Sequence, residues 1–249
     1  MKIVVLGSSS SGNSTYVELS NKKFLIDAGL GFNDIKNKLY DLGVTGDELD
    51  FIIVTHAHND HVKSIHSFNR VYDTKIYISK DTFDEYGKSD LIKNYEFVDD
   101  IDNIDDIKLI KVPISHDKKG YGYIFETKDN SLVYITDTGM IHSKYHKYFV
   151  NKQVYLFESN HDVEMEMNGS KDEMTKIRNI GDEGHLSNEE CAMYLNRFIG
   201  DNTKITCLMH ISENDNTYEL AYKVNREAID KNIDIIVSKK DEVSDIIEI

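Results

Sequence analysis

Thr55-His56-Ala57-His58-Asn59-Asp60-His61 decides how this sequence is read: three imidazoles and a carboxylate follow directly on the apolar, β-rich run Phe51–Thr55. On an extended backbone successive side chains alternate faces, so His56 and His58 point the same way. A turn into a helix after His58 swings Asp60 and His61 toward a second position close by. With ten histidines in 249 residues, three at this spacing behind a strand are not random scatter. Neutral imidazole with carboxylate suits zinc, manganese or iron rather than calcium or magnesium.

Four donors leave a pair of ions under-coordinated, so further ligands are expected at other strand ends. His116 follows Leu109–Val112 and the turn Pro113-Ile114-Ser115, Asp137 follows Leu132–Thr136, and His210 follows Ile205–Met209. A carboxylate such as Asp137 can bridge two ions about 3.5–4 Å apart. Taken singly, an Asp after a strand suits a helix cap and a lone His suits the surface. Taken together downstream of His56–His61, they read as the rest of a metal site.

Outward from these positions the chain alternates strands and helices. Lys2–Leu6, Tyr16–Leu19, Lys23–Asp27, Lys75–Ser79, Val154–Glu158 and Ile233–Val237 read as further strands, and Tyr121–Thr127 with Leu132–Thr136 as a hairpin around Asp129-Asn130. Phe32, Ile35, Leu39 and Leu42 fall at helical spacing. So do Cys191, Tyr194, Leu195, Phe198 and Ile199, behind a capping box at Ser187 and Glu190. Leu220, Ala221, Val224 and Ala228 mark another helix. Polar clusters just past strand ends imply a layered α/β architecture with a site at one sheet edge. A single domain over 1–249 is expected, since there is no linker and only one proline, Pro113.

Composition bounds the rest. The apolar run Met1–Val5 is too short for a signal peptide, and no stretch is long enough to span a bilayer. No membrane partner and a cytoplasmic setting are therefore expected. Cys191 and Cys207 are too few for a disulfide framework and read as small buried hydrophobes. The formal charge of −15 opposes a basic nucleic-acid footprint. Two divalent ions would offset about four of those charges. The runs Asp47–Asp50, Asp99–Asp106 and Asp241–Glu248 read as solvated faces, with Lys171, Lys176 and Arg178 as the candidate local positive patch. His66, His142 and His146 lie outside any cluster and read as surface groups.

The His-x-His-x-Asp-His segment and the later His116, Asp137 and His210 resemble the metallo-β-lactamase superfamily over essentially the whole chain. That resemblance implies its αβ/βα four-layer sandwich and two divalent ions, zinc or manganese with iron next. It implies that His56, His58 and His116 hold one ion, that Asp60, His61 and His210 hold the other, and that Asp137 lies between them. Asp27 in Leu25-Ile26-Asp27-Ala28-Gly29 matches the family's early Asp, which braces the metal loop. Gly7–Ser14, Glu158-Ser159-Asn160-His161-Asp162 and Gly184-His185-Leu186-Ser187-Asn188 resemble the YycJ/WalJ branch of double-stranded DNA 5′-exonucleases. One departure is Leu208-Met209-His210, where the branch commonly reads Leu-Ser-His. The stretch between Asp137 and His210 leaves no room for the inserted domain of the related β-CASP nucleases.

These readings lead to phosphodiester hydrolysis, most concretely at a DNA 5′ end or on an oligonucleotide. Asp60 and Asp137 would serve the reaction with His185 as the acid for the departing alkoxide, since imidazole titrates near working pH. His161 is the second candidate, or else a surface histidine. Ser9 and Asn13 could meet a phosphate, although a Ser/Gly run also suits a plain turn. Asn160, His161, Ser187 and Asn188 are the other expected substrate contacts, Ser187 and Asn188 equally suiting a helix cap. The ligand set also fits a cyclic or short-oligonucleotide phosphodiesterase, or a hydrolase of thioesters or lactones. A metal-bound regulator without turnover is the non-enzymatic alternative. Oligomeric state is not legible.

Overall fold

The computed structural model describes residues 1–249. Its strands, in chain order, are β1 (Lys2–Gly7), β2 (Ser14–Leu19), β3 (Lys22–Ile26), β4 (Phe51–Ile53), β5 (Lys75–Ile78), β6 (Tyr95–Phe97), β7 (Asn103–Ile104), β8 (Ile107–Pro113), β9 (Tyr121–Glu126), β10 (Ser131–Ile135), β11 (Val154–Glu158), β12 (Ile205–Met209), β13 (Asp234–Val237) and β14 (Ile247–Glu248). Its helices are α1 (Phe32–Asp41), α2 (Asn59–Val62), α3 (Ile65–Tyr72), α4 (Lys80–Glu85), α5 (His146–Phe149), α6 (Val163–Asn168), α7 (Glu173–Ile180), α8 (Asn188–Phe198) and α9 (Tyr218–Ala228). They group into two compact units, one of Met1–Leu109, Lys118–Tyr121 and Lys240–Ile249, the other of Ile110–Asp117 and Gly122–Lys239.

In the first unit the sheet runs β14-β1-β2-β3-β4-β5-β6. It starts as an antiparallel meander through β3 and continues parallel from β3 to β6. Parallel strands covered on both faces read as unbroken apolar runs, which is why Phe51-Ile52-Ile53 shows no alternation. Ile35 and Leu39 of α1 and Ile65 and Phe68 of α3 pack on one face, against Val4, Leu6, Leu25, Ile52 and Ile76. The alternate residues Ile3, Val5, Phe24 and Ile26 are equally buried.

The second sheet runs β13-β12-β11-β10-β9-β8-β7. β9 and β10 form the expected antiparallel hairpin, and β10 through β13 are parallel. Cys191, Leu195 and Phe198 of α8 and Ala221 of α9 cover Val133, Tyr155, Phe157 and Leu208. The capping box at the start of α8 is present, with Ser187 accepting from the Glu190 N–H and Glu190 reaching back. In α9, by contrast, Ala228 is exposed and Asn225 is buried beside Ala221. Both cysteines are buried. His142 is exposed, whereas His66 and His146 are half-buried, on Tyr86 Oη and the Ile141 carbonyl. No helix is long and apolar enough to cross a membrane.

Candidate metal centre

The first unit's cluster begins where β4 ends. The Thr55 N–H donates to Asp27 Oδ1 and the Thr55 hydroxyl to Asp27 Oδ2, both at 2.8 Å. The His61 ring donates its Nδ1–H to the same Oδ2 at 2.7 Å. Asp27 is wholly buried; burial pushes its carboxyl up, and the contact with His61 opposes that rise. The bracing that the resemblance implied for Asp27 is the arrangement found.

Thr55 Oγ1 lies 3.1 Å from His56 Nδ1. Its proton is committed to Asp27, so the hydroxyl oxygen accepts from His56 Nδ1–H, an orientation assigned from the network. His56 Nε2 is thereby the acceptor atom, 3.1 Å from His58 Nδ1. The chain then turns into α2 as expected, leaving His61 Nε2 3.3 Å from Asp60 Oδ2. Ligands about 2.0–2.1 Å from a tetrahedral ion stand roughly 3.3 Å apart, so both pairs fit the edge of such a site. Gly29 makes the turn possible, because a Cβ there would fall 1.5 Å from the Asp60 carbonyl oxygen.

Asn13 and Ser9 are buried in this unit, and the Asn13 amide lies against Asp60 and His61. The Ser9 hydroxyl is held by Ser11.

The second unit gathers His116, Asp137, Glu158, His185 and His210. One oxygen or nitrogen from each of Asp137, Glu158, His185 and His210 lies within 4.8 Å of the others. His210 Nε2 is 3.5 Å from Asp137 Oδ1. Its Nδ1–H donates to Glu158 Oε1 at 3.1 Å, the carboxylate partner that orients a metal-binding imidazole. His116 Nδ1 is 3.2 Å from the Gly184 carbonyl, and its Nε2 is 3.2 Å from Asp117.

Glu158, a motif residue given no role above, organises this cluster. Its Oε1 also accepts from His185 Nδ1 at 2.8 Å, and its Oε2 from the N–H groups of Thr138 and Leu186. It is completely buried; burial would raise its carboxyl, but His185 and His210 hold it down to about 2. The His185 ring stacks on His210 with centroids 5.3 Å apart and meets His116 edge-on at 5.0 Å.

Other expected substrate residues serve the loops. Asn160 donates to the His210 carbonyl at 2.7 Å, and Asn188 pairs its amide with Asn216 and accepts from Ser159. Ser187 caps α8. His161 is buried, not at the surface, with no hydrogen-bond partner for either ring nitrogen; burial lowers its pKa. The expected positive patch reduces to Arg178. Lys171 is held by Glu166 at 2.9 Å and Asp215 at 2.7 Å, and Lys176 is buried with its Nζ on the Met167 carbonyl.

Strand-end imidazoles and carboxylates, with His61 and His210 each oriented by a buried acid, define an α/β protein built to hold divalent cations. Comparison with known proteins agrees: residues 9–142 match the metallo-β-lactamase superfamily model. The exodeoxyribonuclease WalJ of Streptococcus pneumoniae is 36% identical over 89% of this chain and 85% of its own. The exodeoxyribonuclease YycJ of Bacillus anthracis is 33% identical over 87% of this chain and 84% of its own. The crystal structure of the metallo-β-lactamase fold protein YhfI from Bacillus subtilis superposes with a TM-score of 0.73 over 97% of both chains, at 14% identity. The chain belongs to the metallo-β-lactamase superfamily and, within it, to the family of WalJ and YycJ.

Proposed function

We propose that this chain is a dinuclear metal-dependent hydrolase of phosphodiester bonds, acting as a DNA 5′-exonuclease in the cytoplasm. Its ligands are His56, His58, Asp60, His61, His116, Asp137 and His210, holding two zinc or manganese ions. The observation that carries the reading is the His185–Glu158 pair beside Asp137 and His210. A histidine held by a buried carboxylate is suited to give a proton to the leaving group of a phosphodiester. Cations at the site supply Lewis acidity and lower the pKa of water toward neutrality.

Asp137 orients the attacking water in line with the phosphorus, and Asp60 supports it from its own loop. His185 keeps Nδ1–H on Glu158 and delivers a proton from Nε2 to the departing 3′ alkoxide. Two curated relatives named as exodeoxyribonucleases support DNA as the polymer. The −15 charge and the neutralised Lys171 favour a second reading, in which a short or cyclic oligonucleotide is bound chiefly at the site.

The test is a panel of 5′-phosphorylated duplex, bis-p-nitrophenyl phosphate and a thioester, each with manganese or zinc. Mononucleotides released from the 5′ end are expected. Thioester turnover without any phosphodiester turnover overturns the reading. His185→Ala should lower turnover by about 10²–10⁴. Unchanged turnover removes His185 from the acid's role.

A further inference from the structure

We infer that Asn13 is a positioning residue that sets divalent-metal affinity, by holding Asp60 and His61 in ligand geometry before a cation arrives. The inference rests on the reading that these two residues are ligands. Its ground is the way the Ser/Gly loop spends its hydrogen bonds. Asn13 Oδ1 accepts from the Ser8 hydroxyl at 3.0 Å and from the Ser9 N–H at 3.2 Å. Two donors on that oxygen fix the amide, so Nδ2 faces the other way.

Nδ2 meets three acceptors: the Ser9 carbonyl at 2.9 Å, His61 Nε2 at 3.0 Å and Asp60 Oδ2 at 3.2 Å. His61 Nδ1–H is already on Asp27, so His61 Nε2 carries the lone pair. One amide proton serves Ser9, and the other is shared by Asp60 and His61. These two atoms are the ones this unit would offer to a cation from Asp60 and His61. The amide therefore stands in for the cation at His61 and gives up that contact when one binds, so its gain in metal affinity comes through Asp60. Its hold on Asp60 survives, because a carboxylate oxygen has lone pairs for both partners. The backbone holds the same geometry, with Asn13 N–H on the Asp60 carbonyl at 2.7 Å and Gly29 N–H on the Asn13 carbonyl at 2.8 Å. The loop is thus a support for the metal turn, and Asn13, fully buried, is its working end.

Asn13→Ala and Asn13→Asp separate this role from general bracing. The full chain is stripped with chelator, then followed by zinc or manganese binding in equilibrium dialysis and by thermal melting without metal. Asn13→Ala should weaken binding of one ion about 10–100-fold and lower the metal-free melting temperature. Asn13→Asp keeps the acceptor facing Ser8 and Ser9 but sets a second carboxylate beside Asp60. It should melt lower than wild type without metal, yet gain more on adding metal. It also keeps the test usable if the alanine variant does not fold. A lowered melting temperature with wild-type metal affinity overturns the inference, leaving Asn13 as a loop brace only. Failure of the wild-type chain to bind either metal overturns instead the ligand reading on which the inference rests.

Discussion

Asp27, Asp137 and His210 share a left-handed backbone, with φ of 60°, 57° and 56°, at the exits of β3, β10 and β12. Asp and His accept that state more readily than most residues, and it turns the chain off the strand abruptly enough to present the side chain at the sheet edge. Each position needs a residue that tolerates the turn and carries a donor atom, and few types do both. Glu158 differs: its backbone is an ordinary strand, and its importance lies in the four donors it satisfies. Glu158→Gln keeps the shape but puts an NH2 against groups that donate, so one oxygen's partners lose their acceptor. Hydrogen bonds to a buried charge are worth about 1.5–3 kcal/mol, and a loss of that order is expected in urea denaturation. A variant within a few tenths of wild type would mean that the network is slack. The His56–His61 cluster was legible in the sequence because it is compact in the chain. Glu158 and Thr55 were not, because their partners are assembled only by folding: His185, His210 and Thr138 around one, Asp27 around the other.

The segment α6–α7 shows the same limit for a whole element. Lys171 lies between Glu166 and Asp215, whose side chains are 0% and 1% exposed. Asn179 donates to Glu166 and offers its carbonyl to the His185 N–H, so this ion triad reaches the loop that carries His185. Burial raises the Asp215 carboxyl, but Lys171 outweighs it and the net shift is downward. A depressed folded-state pKa stabilises the fold above the unfolded value, near 3.9, and that contribution is lost as pH falls through the folded one. Lys171→Met leaves two buried carboxylates facing each other. About 3 kcal/mol should be lost at pH 7, the low end for a broken buried pair because the lysine tail reaches solvent. The cost should shrink toward pH 4 as the carboxylates take up protons. Denaturation at both pH values checks this, and equal costs would sink the ion-triad account. Apolar periodicity could not find α7, because Met174 and Ile177 are 82% and 67% exposed while Lys176 and Asn179 are buried. Strands β10, β11 and β12 and the capped α8, whose Cys191, Leu195 and Phe198 do face inward, were legible almost to their ends. Two-residue strands such as β7 and β14 carry too little pattern to read.

At the scale of the whole molecule, charge decides how a polyanion can be held. Proteins that make 6–10 phosphate contacts lose about 10³–10⁵ in affinity between 50 and 200 mM salt, as counterions are released. This chain carries −15, and of its candidate basic patch only Arg178 stands exposed, Lys171 and Lys176 being committed to internal partners. With that candidate patch reduced to one exposed arginine, a DNA substrate would gain affinity from the strand end at the metal site, not from the length of duplex beside it. Apparent affinity for a 5′-phosphorylated DNA end should therefore fall less than about tenfold over that salt range, with roughly one phosphate contact's worth of slope. Lengthening the duplex beyond the first few base pairs should leave KM nearly unchanged. KM for short and long duplexes, titrated with salt at fixed manganese, measures both quantities. A steep salt slope that grows with duplex length would reveal a basic footprint that this charge distribution does not provide, and would shift substrate recognition from the strand end to the duplex.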